Sequence, residues 1–439
     1  MALYNNSMNN DTPELNETPT LPENDEIIPE DDKKTNNKTL AISGALLLVI
    51  LVAVIAVTMT LNMGKKGDDS GSNDGGGSSI VDDDNNDDTT NTELSSKTVT
   101  ATIDGKTITY NGAYVVDGIE ATINSGTYES TTDSQAVFLV INGGKLTING
   151  GVVINKSGSA DFQGRGDNYS FYGINSAIVV VGEGSSATID GALINTSVSG
   201  ANAVVATNSG TVTIDNSTIK TTKDGSRGLH ATYGGTIKSS KTSISTQGGS
   251  SAALATDRGS GTVIATGMEL STAGAGSPLI YSTGDIRVSN STGTSTGAQI
   301  AVVEGKNSIT INDCEFSTNG IGNRNNVDNA AVMIYQSMSG DASVGVGSFT
   351  AQDSTFTVLS DSEQYQTVPF FFVTNTTAEI TLDDVEMKFY EDGYFILASG
   401  TSEWGREGSN GGIVTITATG IETSSSEIGV DEISSVKEL

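Results

Sequence analysis

The chain has 439 residues, with 52 Gly but only 6 Pro, and its 53 acids against 22 bases give a formal net charge of −31. That charge repels nucleic-acid phosphates and anionic lipid headgroups, which argues against nucleic acid as a partner. A lone Cys314 excludes an internal disulfide framework, and a lone His230 excludes multi-histidine metal sites and weakens any Ser-His-Asp arrangement.

In chain order, residues 1–38 hold nine acids and almost no apolar periodicity. They cannot bury enough surface to offset the entropy of ordering, so a disordered acidic cytoplasmic tail is expected. Residues 39–64 carry no charge, and the run LAISGALLLVILVAVIAVTMTL over 40–61 is long enough to cross a hydrocarbon layer of roughly 30 Å as a helix. A retained signal anchor fits better than a cleaved signal peptide, because the leader is long and a small-residue cleavage site is not evident. Lys33, Lys34 and Lys38 before the run against Lys65 and Lys66 after it favour an inside N-terminus. The expectation is a single-pass protein of the cell membrane with an extracellular C-terminal domain. Residues 65–96 mix Gly and Ser with nine acids, the composition of a solvated, self-repelling stalk. Asp82, Asp83, Asp84, Asp87 and Asp88 lack the turn glycine and ligand spacing of an EF-hand loop, so no calcium motif and no cofactor is read there.

From about Lys97 the chain repeats. Short apolar segments recur at 25-residue steps, at Ala203-Val204-Val205-Ala206, Gly228-Leu229-His230-Ala231, Ala253-Leu254-Ala255-Thr256 and Pro278-Leu279-Ile280-Tyr281. Each is followed by a second segment, such as Thr211-Val212-Thr213-Ile214 or Ile309-Thr310-Ile311, and then by a small polar turn, such as Asp215-Asn216-Ser217 or Asn312-Asp313-Cys314, that opens a third. A strand of four or five residues is unstable alone but gains partners by stacking on the next repeat. Asn, Asp, Ser and Gly suit the left-handed or Asx geometry of such turns. The predicted fold class is therefore all-β, a right-handed parallel β-helix with three strands per coil over residues 97–439, the hand following from strand-crossover chirality. Separate antiparallel sandwiches are the alternative, and they would need hairpin turns every 8 to 12 residues.

The runs Phe171-Tyr172-Gly173-Ile174-Asn175, Ala255-Thr256-Asp257-Arg258-Gly259, Ile280-Tyr281-Ser282-Thr283-Gly284-Asp285 and Val303-Glu304-Gly305-Lys306-Asn307-Ser308 resemble those of adhesin-like β-helix surface proteins of gut Firmicutes and relatives. The resemblance covers roughly residues 115–435 and implies a pectate-lyase-like right-handed β-helix on a bacterial cell surface. Residues 430–439 look like the start of a further coil, which leaves the C-terminal cap undefined by the sequence.

Three carboxylates, Asp257, Asp285 and Glu304, each follow the first strand of consecutive repeats and are the candidates for glycoside or polysaccharide cleavage. Adjacent coils separate equivalent atoms by roughly 4.8 Å, against the roughly 5 to 9.5 Å that carboxylate pairs need. Arg258, Arg287 and Lys306 nearby make surface charge pairing the simpler account. His230 is expected in the column of Val205, Ala255, Ile280 and Ala301. Two loops interrupt the repeat and are the ligand-binding candidates, because function concentrates on loops carried by a rigid scaffold. Residues 155–175 supply Phe162, Tyr169, Phe171 and Tyr172, and residues 399–412 supply Trp404, the only tryptophan. Their rings either stack on sugars or cap the adjacent core. Arg165-Gly166-Asp167 in the first loop matches an integrin-recognition tripeptide, which three residues specify poorly. The functional expectation is an adhesin or carbohydrate-binding surface module whose partner is a polysaccharide, host glycan or host protein. A membrane-anchored polysaccharide lyase or glycosidase and an end-to-end assembling surface protein are the alternatives.

Overall fold

The computed structural model describes residues 91–161, 166–320, 329–337, 342–359, 369–389, 395–399, 412–423 and 437–438. All of them fall in one compact unit. The expected tail and spanning segment, most of the stalk, Phe162, Arg165 and Trp404 lie outside the described residues. No helix among the described residues is long and apolar enough to cross a membrane.

The protein is all-β, with a single five-residue helix, Gly166–Ser170, among the described residues. Its strands are parallel throughout except at the start. There Lys97–Ile103 and Lys106–Asp117 form an antiparallel hairpin across Asp104 and Gly105, both at positive φ. An Asp-Gly pair at positive φ matches the right-handed twist of the flanking strands, which is why this turn closes so tightly.

Between the two ends, the later strands pair with their counterparts one repeat before and one repeat after. In the first sheet Ile178–Val181, Val204–Thr207, Leu229–Thr232, Leu254–Thr256 and Ile280–Ser282 lie side by side in register. In the second sheet two sets of strands run separately. One set includes Ser186–Asp190, Thr211–Asp215 and Gly235–Ser240. The other includes Leu193–Thr196, Thr218–Thr221 and Ser243–Thr246. The two sets are joined at a one-residue corner whose φ is positive in every repeat from Gly191 through Asn216, Lys241, Gly267, Asn290, Asp313, Asp353 and Asp384 to Gly420. Gly, Asn and Asp dominate there because the left-handed region costs other residues roughly 1–2 kcal/mol.

Burial follows the sequence pattern. Strands of the second sheet alternate, as in Thr211–Asp215, where Val212 and Ile214 are buried and Thr211 is exposed. Those of the first sheet are buried on both faces, so they read as unbroken apolar runs such as Ile178–Val181. One face joins the main core through Ile178, Val180, Val204, Ala206 and Leu229. The other, formed by Leu139, Val179, Val181 and Val205, is covered by Ile103, Ile108 and Tyr110 of the hairpin and by Tyr172. The hairpin is held by the Tyr110 hydroxyl, which donates to the Tyr172 carbonyl at 2.9 Å. Towards the C-terminus Phe316, Phe349, Phe356, Phe370, Phe371 and Phe389 fill the core, with neighbouring ring centroids 5.0–6.5 Å apart.

The register departs from the sequence expectation in one place. Thr256 pairs with Ala231, yet Gly261 pairs with Gly235, so one extra residue enters within 257–260. The 25-residue step becomes 26, and Ile280 rather than Leu279 pairs with Leu254. His230 consequently shares its column with Val205, Ala255, Tyr281 and Val302, not with Ile280 and Ala301.

Candidate functional site

The strand that follows the corner has a repeated pattern in which the second and fourth residues are inward and the first and third outward. Ser243–Thr246 (SIST) and Glu269–Thr272 (ELST) show it plainly, with Ile244 and Leu270 buried. Stacking in register turns the outward positions into two ladders. One runs Thr218, Ser243, Glu269, Thr292, Glu315, Thr355, Glu386. The other runs Lys220, Ser245, Ser271, Thr294, Ser317, Thr357, Lys388. Together they line an open groove of about 830 Å³ whose floor includes Ile219, Ile244, Leu270 and Phe316. Seven strands at the usual spacing give it a length of about 29 Å, and the ladders stand about 6.6 Å apart, two residues along a strand.

The lining is polar and only partly self-satisfied. Ser243 Oγ donates to Glu269 Oε2 at 2.8 Å, Thr355 Oγ1 donates to Glu386 Oε2 at 3.3 Å, and the Thr294 and Ser317 hydroxyls share a hydrogen bond of 2.8 Å. Lys388 Nζ lies 3.0 Å from Glu386 Oε2. Among the described residues Glu315 has no partner, and its side chain is exposed. A face carrying hydroxyl donors and acceptors, carboxylate acceptors and two lysine donors can hydrogen-bond a ligand rich in hydroxyls along its whole length.

The carboxylates expected to do chemistry lie elsewhere and are engaged. Asp285 belongs to the second sheet, where Ser308 Oγ donates to it at 2.8 Å and Arg287 pairs with it at 2.7 Å. Glu304 ends the strand Ala301–Glu304 of the first sheet, and Asp257 directly follows the strand Leu254–Thr256, two strands away in that sheet. Both are buried. Asp257 Oδ2 lies 3.4 Å from the Arg227 guanidinium and 3.8 Å from His230 Nε2. Glu304 accepts hydrogen bonds from the hydroxyls of Tyr281, Ser337 and Tyr335, the last at 2.9 Å. Burial pushes the Tyr281 and Tyr335 hydroxyls well above the ordinary tyrosine range, and the nearby Glu304 carboxylate adds to it. Burial, with the neighbouring Arg227 charge, holds His230 well below the usual imidazole range. The structure thus encloses Asp257 with Arg227 and His230, and Glu304 with Tyr281, Tyr335 and Ser337, whereas Asp285 is only partly buried beside Arg287.

The aromatic candidates of the first loop turn inward. Tyr169 and Tyr172 are buried, Tyr169 in a cluster with Ala160, Val198 and Ala201. Phe171 is half-buried, and the Arg258 guanidinium lies 4.2 Å from its ring centroid. Of the two roles open to these rings, capping the core is the one their packing serves. Among the described residues no group of three or more His, Cys, Asp or Glu is arranged to hold a metal ion. Sequence reasoning missed the groove, although the outward Ser, Thr and Glu of SIST, ELST and EFST were visible as a repeated pattern. No family model, curated protein or solved structure matches the chain.

Proposed function

We propose that the chain is a right-handed parallel β-helix that binds an extended polysaccharide along the groove of its third strands, displayed from a membrane anchor as an adhesin or carbohydrate-binding surface module. The observation that carries this reading is the groove itself, about 830 Å³ in volume, polar and continuous across seven stacked strands. A straight run of paired outward side chains suits a linear polymer better than a compact small molecule. The helical coil is supported by the in-register pairing of the parallel strands with neighbours one repeat away and by the one-residue corner that recurs between strands. Its hand follows the strong right-handed preference of parallel crossovers.

The test is retention of the purified full chain by a panel of immobilised polysaccharides, with the supernatant assayed for new reducing or unsaturated ends. Retention that is lost in Ser271→Trp, which fills the middle of the groove, and that generates no new ends is the expected outcome. Absence of retention, or retention unaffected by the blocked groove, would overturn it. The runner-up is a polysaccharide lyase or glycoside hydrolase, for which Asp257 and Glu304, on strand ends two strands apart, are the candidate carboxylates. New ends formed by the wild type and lost in Asp257→Asn would establish that function instead.

A further inference from the structure

The first ladder of the groove alternates in a way that a merely solvated face does not require. Along successive strands it reads Glu269, Thr292, Glu315, Thr355, Glu386, with a carboxylate on every second strand. The carboxylates therefore recur at about 9.6 Å, twice the strand spacing. A fully extended β-1,4-linked glycan advances by nearly one strand spacing per sugar and turns each sugar over relative to the last. The same substituent thus faces the same wall at every second sugar, with the period of these carboxylates.

The charges decide which substituent. Glu386 is already paired with Lys388 at 3.0 Å and closes the run. Glu269 receives only the Ser243 hydroxyl, and among the described residues Glu315 has no partner, so neither carboxylate is neutralised by a protein cation. Residues 91–439 hold 36 acids against 17 bases, a net charge of −19 whose field attracts cationic polymers and repels uronic-acid polymers. A carboxylate accepting from an ammonium makes a charge-assisted hydrogen bond, roughly twice as strong as a neutral one. We infer that the groove selects an extended β-1,4-linked glycan bearing free amines, a glucosamine polymer, and that Glu269 and Glu315 bind the ammonium groups of alternate sugars. This rests on the reading of the groove as a polysaccharide site and adds the ligand's chemical class to it.

Titration calorimetry of the full chain with the glucosamine hexamer, the N-acetylglucosamine hexamer and cellohexaose, at pH 5.5 and at two salt concentrations, tests the inference. The glucosamine hexamer should bind about tenfold or more tightly than either neutral hexamer, a difference of about 1.4 kcal/mol. Glu269→Gln and Glu315→Gln should each remove most of that preference, lowering the affinity for the glucosamine hexamer several-fold more than that for either neutral hexamer. Glu183→Gln, an exposed carboxylate outside the groove, should leave all three affinities unchanged and so controls for non-specific attraction to an acidic protein. Equal affinity for the amine and N-acetyl hexamers, or a preference insensitive to both groove substitutions, overturns the amine selectivity alone. Failure of all three hexamers to bind overturns the polysaccharide reading with it.

Discussion

Lys156 shows how a single side chain registers the enclosure of this fold. It ends the strand Val152–Lys156, its ammonium donates to the Thr132 carbonyl at 2.6 Å, and it is buried. Burial lowers its pKa to about 8, with the Asp133 charge only partly opposing the shift. Between about pH 8 and the ordinary lysine value near 10.4, the unfolded chain keeps this proton and the folded chain releases it, so stability rises with pH in that window. Unfolding free energies of the wild type relative to Lys156→Met should therefore improve by up to about 2–3 kcal/mol from pH 8 to 10. A flat difference across the window would refute the shift. Above pH 10 the buried Tyr110, Tyr281 and Tyr335 act in the opposite sense, since their protons are retained only in the fold. Cys314 is another local adaptation. It takes the register position of Ser291 and Ser354 in the corner, its thiol donates to the Asn312 carbonyl at 3.2 Å, and burial raises its pKa to about 11. Such a thiol is a packing group rather than a nucleophile at neutral pH.

At the scale of the element, the corner residue between the two strand sets of the second sheet sets the direction of each strand after it. Asn216, at φ 50, also donates from Nδ2 to Asp190 Oδ1 at 2.7 Å and so ties its corner to the preceding one. Lys241 adopts the same conformation at φ 47 without the short polar side chain that makes it inexpensive. Lys241→Asn should accordingly stabilise the protein by about 0.5–1 kcal/mol, whereas Asn216→Val should cost about 1–2 kcal/mol or more. Thermal or denaturant unfolding of the two variants measures this, and loss of stability in both would show that the corner tolerates no replacement for reasons other than φ. The second kind of corner depends on close approach rather than φ. A Cβ on Gly235 would lie 2.1 Å from the Ala206 carbonyl oxygen, so the chain passes there only without a side chain.

At the scale of the whole molecule, strands pair with those of adjoining repeats, and longer contacts such as the hairpin over Val179 and Val205 or Tyr281 with Tyr335 add to them, so stability accumulates mainly through nearest-neighbour interfaces. Against this works a net charge of −31, whose self-repulsion is relieved by salt over a Debye length of about 10 Å at 0.1 M. Raising sodium chloride from about 10 mM to 0.15 M should therefore raise the Tm. The same change should weaken binding of the glucosamine hexamer, because its attraction to Glu269 and Glu315 is screened. A Tm that falls over this range would mean that exposed ion pairs such as Lys145 with Glu120 outweigh the net repulsion.

Much of the fold was legible because it is written in windows of four or five residues. Alternating apolar positions, as in Thr211–Asp215, state which face is inward, and Asn or Asp after a strand states where it turns. The existence of parallel, stacked strands followed from those local rules, whereas Lys97 itself opens the antiparallel hairpin. What depended on registry between distant residues did not. The hairpin Lys97–Asp117 folds over the first sheet through contacts such as Tyr110 to Tyr172, far apart in sequence, and the extra residue within 257–260 moves Tyr281 into His230's column in place of Ile280. The sequence leaves Tyr169 and Tyr172 open either to stack on a ligand or to cap the core, and only packing shows them enclosed. The groove was hidden for the same reason. A Ser, Thr or Glu on one strand is an ordinary solvated residue, and it becomes part of a 29 Å polar wall only when seven strands align at about 4.8 Å. Local periodicity is a property of the sequence alone, whereas burial and the grouping of side chains from separate repeats arise from long-range register, which only the tertiary structure decides.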